Sequence, residues 1–188
     1  MRADRARRVA RIAGALAVVA AVAGAATIYL GVYDVAADVP HTRPVLWLLG
    51  VARDRSIAVR ARRVRVPADL GDSARIASGA GLYDDMCSSC HLAPGMERTE
   101  ISQGLYPPAP ELDRRGDLTP AQSFWIIKHG MKMTGMAAWG RTHSDTLIWN
   151  MVAFLQRLPA LSPDQYRALV KSAPANHDMM MMMGQAAH

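Results

Sequence analysis

Cys87-Ser88-Ser89-Cys90-His91 constrains this chain more than any other feature, because it holds both of its cysteines. Two cysteines cannot build a multi-disulfide scaffold or a four-cysteine zinc site. No further Cys exists to complete a second C-x-x-C pair for zinc. A thioredoxin-like redox pair expects a βαβ context, which does not follow here, and a structural disulfide leaves His91 without a purpose. The remaining reading is covalent attachment of a c-type haem, for which C-x-x-C-H is the signature. Two thiols on one helical turn can add to the two vinyl groups on one edge of a porphyrin. The adjacent imidazole then turns onto the iron. A helix opened by Asp72 or Ser73 as cap, and running to Met86, is expected to deliver the motif.

A c-type iron is usually held by His plus Met, the thioether favouring the ferrous state. The candidates are Met96, Met131, Met133, Met136 and Met151. Met96 stands only five residues from His91, too close to round a haem plane, and Met151 falls in an apolar helical pattern where Met fills core. Residues 130–140 are glycine-flanked and aperiodic, so a loop there can thread across a haem face. Met136 is the expected ligand, with Met133 next and Met131 third. His129 and His143, as polar residues on helix flanks, are expected to face water. Trp139 is expected either to shield a haem face or simply to pack.

Charge divides the chain unequally. Residues 1–65 hold 12 Arg against 4 Asp, whereas residues 66–188 hold 10 basic and 12 acidic residues. A nucleic-acid-binding domain would carry basicity on its own folded surface, so that class is excluded. Residues 1–11 form a basic N-terminus ahead of an uncharged stretch at 12–33. As a helix, those residues reach about 33 Å, enough to cross a bilayer core of about 30 Å. Five Arg before the stretch put the N-terminus in the cytoplasm and the remainder outside. A cleavable signal peptide is the competing reading, with small-x-small sites at Ala23-Gly24-Ala25 and Val35-Ala36-Ala37. Both readings export the haem motif to the side of a bacterial membrane where such haem is attached. Residues 34–71 read as a periplasmic basic linker, too irregular to choose helix over strand. It could lie on anionic lipid, dock an acidic partner, or be a solvated face whose Arg stems cover apolar surface. The chemistry is expected in residues 72–161. Residues 162–188 read as a tail ending in a His/Met-rich segment, where Met179 to Met183 with His177 and His188 could bind copper, or be unconstrained low-complexity chain.

Residues 72–160 resemble a class I c-type cytochrome of the bacterial single-haem group with a membrane anchor. The resemblance rests on Tyr83 before the Cys87–His91 box, Pro110-Glu111-Leu112, Ile127-Lys128-His129-Gly130 leading to Thr134-Gly135-Met136, and a closing helix from about Ser144 to Leu158. It implies an all-α globule around one covalently bound haem, preceded by a transmembrane helix. Its first and last helices would cross where Gly79 and Tyr83 meet Phe154 and Leu155. It also implies that the Pro110 carbonyl accepts the outer imidazole proton of His91, with Pro108 as the alternative. The family's Met-Pro pair is Met136-Ala137 here, which leaves the loop less rigid. The expected function is single-electron transfer between respiratory or dehydrogenase partners at the periplasmic face of the inner membrane, not catalysis. The alternative is a haem-sensing or copper-binding protein.

Overall fold

A computed structural model describes residues 2–114 and 116–174. They form helices α1 (Arg2–Tyr29), α2 (Arg43–Ala61), α3 (Ser73–Met86), α4 (Ser88–His91), α5 (Glu100–Gly104), α6 (Pro120–His129), α7 (Asp145–Leu155) and α8 (Pro163–Lys171). Short 3-10 turns stand at Leu112–Arg114, Trp139–Arg141 and Leu158–Ala160, and there is no strand among the described residues. The chain divides into two compact units, Met1–Val39 and Pro40–His188.

The first unit is α1 and the turn after it. The helix starts inside the basic segment rather than at Ile12, since Arg is a good helix former. It stops at Tyr29, short of Tyr33, where Gly31 takes the left-handed φ of +64°. This helix is long and apolar enough to cross a membrane, a test that an N-terminal signal sequence also passes.

In the second unit, helix starts follow local chemistry. Asp72 accepts the Ala74 N–H at 2.7 Å to open α3. Thr119 and Gln122 cap α6 reciprocally, with Pro120 in its first turn. Ser144 accepts from Leu147 to open α7. The stretch left undecided in the sequence is helical: α2 buries Ile57 and Ala61 and packs on α6.

α3 packs chiefly on α7. One core cluster joins Leu82, Phe124, Ile127, Leu147, Ile148, Trp149, Met151 and Val152, with Phe124 and Trp149 stacked at 4.2 Å. A second joins Ala80, Tyr83, Phe154, Leu158 and Tyr166. The expected meeting of Gly79 and Tyr83 with the closing helix is present. A Cβ on Gly79 would strike the Asn150 carbonyl and Phe154, and the Tyr83 and Phe154 rings lie 5.2 Å apart. The compact unit continues past Leu161. Residues 163–171, expected to be tail, form α8, whose buried Tyr166 donates to Asp84 Oδ1 at 2.6 Å.

Candidate haem site

α3 ends at Cys87, whose N–H still reaches the Tyr83 carbonyl at 2.9 Å. The chain then makes one more turn, with Cys90 and His91 N–H groups both on the Cys87 carbonyl at 3.1 and 2.9 Å. Cys87 and Cys90, three apart on this turn, therefore share a face. Both thiols are free and half-buried. Cys87 borders both core clusters. Burial, reinforced by the nearby Cys90, pushes its thiol up to about 12.

The turn is held from outside. Ser88 Oγ donates to the Asp84 carbonyl at 2.6 Å, and Thr99 Oγ1 donates to the Ser89 carbonyl while also capping α5. Leu92 then leaves in the left-handed region at φ 62°, and the buried Tyr83 hydroxyl donates to its carbonyl at 2.5 Å. Nothing in the sequence marks Leu92 for that conformation.

His91 Nδ1 lies 2.9 Å from the Pro110 carbonyl oxygen. A carbonyl only accepts, so this nitrogen carries the proton and Nε2 keeps its lone pair. Burial lowers the imidazole pKa, opposed by the Pro110 hydrogen bond. Between the two prolines open in the sequence, the structure pairs His91 with Pro110. The proline-rich loop is tied back in turn, as Tyr106 accepts the His41 N–H at 2.9 Å.

Among the candidate sulfurs, Met136 is half-buried against the cluster that Cys87 also borders, together with Trp139. Its loop is closed by the Met131 N–H on the Met136 carbonyl at 3.2 Å. Thr134 Oγ1 donates to the Met131 carbonyl at 2.8 Å and accepts the Met136 N–H at 3.1 Å. Gly130 makes the loop possible: at φ +63° a Cβ would sit 2.7 Å from the Met136 and Ala137 carbonyls. Met133 is 74% exposed at a left-handed φ of 60°, Met96 is exposed, Met131 is half-buried, and Met151 is buried within α7.

His129 is exposed beside Trp125, as expected. His143 is not: it is 4% exposed, packed edge-on to Trp139 at 5.4 Å with Thr142 Oγ1 at 2.8 Å from Nδ1. The indole gives the ring an apolar wall, and the hydroxyl gives Nδ1 a polar contact. The copper expectation falls on residues 176–188, outside the described residues. Among those described, no group of three or more His, Cys, Asp or Glu side chains could hold a metal ion.

Two thiols on one turn, a half-buried imidazole with a fixed tautomer and a half-buried thioether fit a covalently held haem. With the all-helical fold, they define the class: residues 74–155 form a c-type cytochrome domain. That stretch matches the family described as Cytochrome C oxidase, cbb3-type, subunit III. No curated protein and no solved structure matches the chain. The domain binds haem c and transfers electrons, as a carrier or cytochrome subunit rather than a catalytic enzyme.

Proposed function

We propose that the protein is a membrane-anchored, periplasm-facing carrier of single electrons, with one haem bound through Cys87 and Cys90 and with His91 and Met136 as axial ligands. The observation that carries this reading is the 2.9 Å contact between His91 Nδ1 and the Pro110 carbonyl. It leaves Nε2 as the donor and enriches the ring toward iron. When bound, haem supplies a one-electron couple between ferric and ferrous iron. The protein residues fix that couple in place: the Cys turn holds the group, Pro110 orients the imidazole, and the Met131–Met136 hydrogen bond holds the thioether loop closed. α1 serves as the inner-membrane anchor, and redox proteins in or near that membrane are the partners.

The oxidised protein should show the red Met–iron charge-transfer band. Met136→Ala should lose it and Met133→Ala should retain it. The reverse pattern would move the ligand to Met133. Prompt carbon monoxide binding by the reduced wild-type protein would reject the carrier reading in favour of a sensing site. Retention of protein in membranes after an alkaline carbonate wash tests the anchor.

A further inference from the structure

The cytochrome site does not account for α2. Residues 44–52 carry no charge, yet Trp47 is 69% exposed, Leu48 60% and Val51 42%; further along the helix Val59 is 53% exposed. Successive helical residues turn by about 100°, so Trp47, Val51, Arg55 and Val59 form one stripe with Leu48 beside it. Measured from Ile57 and Ala61, the residues buried toward the domain, the stripe winds from about 60° at Trp47 through about 100° at Val51 to about 160° at Val59, with Leu48 also at about 160°. Leu48, Val51 and Val59 therefore face away from the core, and Trp47, though nearer the buried side, is left outside it at 69% exposure. An apolar stripe of this kind on a charged helix marks a surface contact.

Charge identifies what covers it. Residues 43–65 hold seven Arg and one Asp. Arg53 shares the carboxylate of Asp54 at 2.7 Å, while Arg43, Arg55, Arg60, Arg62, Arg63 and Arg65 are exposed. A second copy docking on this stripe would set one arginine cluster against another, which costs free energy by like-charge repulsion. An anionic bilayer satisfies both features: the Trp and aliphatic stems enter the headgroup and acyl boundary, and the guanidinium groups meet lipid phosphates. We infer that α2 is an interfacial membrane helix, a second lipid contact that lays this face of the cytochrome unit on anionic lipid. The inference extends the anchor reading of α1 but depends on different residues.

The test uses full-length holoprotein in vesicles of about one-third phosphatidylglycerol and of phosphatidylcholine alone. An environment-sensitive fluorophore is attached at Leu48→Cys, the native thiols being consumed by haem, and an unchanged haem spectrum verifies the fold. Over anionic vesicles the emission should shift to the blue and be quenched by lipid carrying a shallow nitroxide. Arg55→Gln and Arg62→Gln should each lower the seated population roughly fivefold, with the difference shrinking in high salt. A water-like emission over anionic vesicles overturns the inference. So does a blue shift that nitroxide lipid fails to quench, which would assign the stripe to a protein surface. Carbonate-resistant flotation reads α1 separately. A seated label on protein that does not float overturns the anchor and keeps the interfacial helix, and a wet label on protein that floats does the reverse.

Discussion

Gly79→Ala should destabilise the protein although the same change in a free helix stabilises it. Gly costs about 1 kcal/mol relative to Ala in a helix interior, so propensity alone favours the substitution. The structure opposes it: the new Cβ would lie 1.9 Å from the Asn150 carbonyl oxygen, 2.5 Å from the Asn150 carbonyl carbon and 2.9 Å from Phe154 Cβ. The first two are α7 backbone, which has no rotamer to change, so α3 and α7 must separate by more than about 1 Å in a close-packed core. Overpacking of this kind costs about 1–3 kcal/mol, and a backbone obstacle places this site at the upper end. With the propensity gain subtracted, the net loss is about 2 kcal/mol, a fall in Tm of about 4–8 °C for a unit of this size. Because α3 delivers Cys87, haem incorporation should fall as well. Gly50→Ala is the internal control: no atom lies within 4 Å of its Cβ position, so Tm should rise by about 2–3 °C. Melts of both variants, followed by far-UV circular dichroism and haem absorbance, decide the matter. If Gly79→Ala raises Tm as Gly50→Ala does, the close approach of α3 and α7 is wrong.

Two further outcomes follow from burial and backbone geometry. Burial raises the Tyr83 and Tyr166 phenols well above their ordinary 10.0, and Asp84 adds to the effect at Tyr166. The folded state therefore holds protons that the unfolded chain releases. Stability from these two groups is complete below pH 10 and is lost as pH rises above it. In an alkaline titration by ultraviolet absorbance, tyrosinate from these two residues should appear only together with the loss of helical circular dichroism; gradual titration of all five tyrosines in folded protein would contradict their burial. Met133→Gly should raise Tm by about 2–4 °C, because relief of a left-handed non-glycine residue, about 1–2 kcal/mol, exceeds the entropy that Gly adds to the unfolded chain. Its charge-transfer band should be unchanged, and a loss of that band would give Met133 the role proposed for Met136.

The parts of the fold legible in the sequence were those set by short-range chemistry. Asp72 announces α3 as its cap, and C-x-x-C-H specifies a single turn that the structure contains. Pro108 and Pro110 could not be separated by sequence, because the choice depends on how the 106–110 loop folds back on His91. α2 was ambiguous for a physical reason: Leu46 to Leu49 are apolar in succession, with neither a helical nor a strand period. Its burial is confined to Ile57 and Ala61 near the far end. α8 was missed although its signal was present, since Ser162-Pro163-Asp164-Gln165 is a capping box with Pro in the first turn. Pro163 stands in the first turn of α8, where its missing N–H is no loss. His143 was misplaced because residue polarity says nothing of the Trp139 ring that covers it.

α8 matters to the haem turn through one side chain. The Tyr83 ring packs on Phe154 of α7 and edge-on to Tyr166 of α8 at 6.5 Å, while its hydroxyl holds the Leu92 carbonyl. Tyr166 returns to Asp84, the residue after Tyr83, whose backbone carbonyl in turn accepts from Ser88 inside the haem motif. The last turn of α3 is thus braced by α7, α8 and the exit of the Cys87–His91 turn at once. The family match stops at residue 155, before α8 begins. A single aromatic contact and one charge-assisted hydrogen bond are enough to tie this added helix to α3. The attachment turn needs such bracing because Leu92 is held at a positive φ that its side chain disfavours. A strained residue persists only where its surroundings fix it, and Tyr83, itself fixed by α8, supplies that constraint.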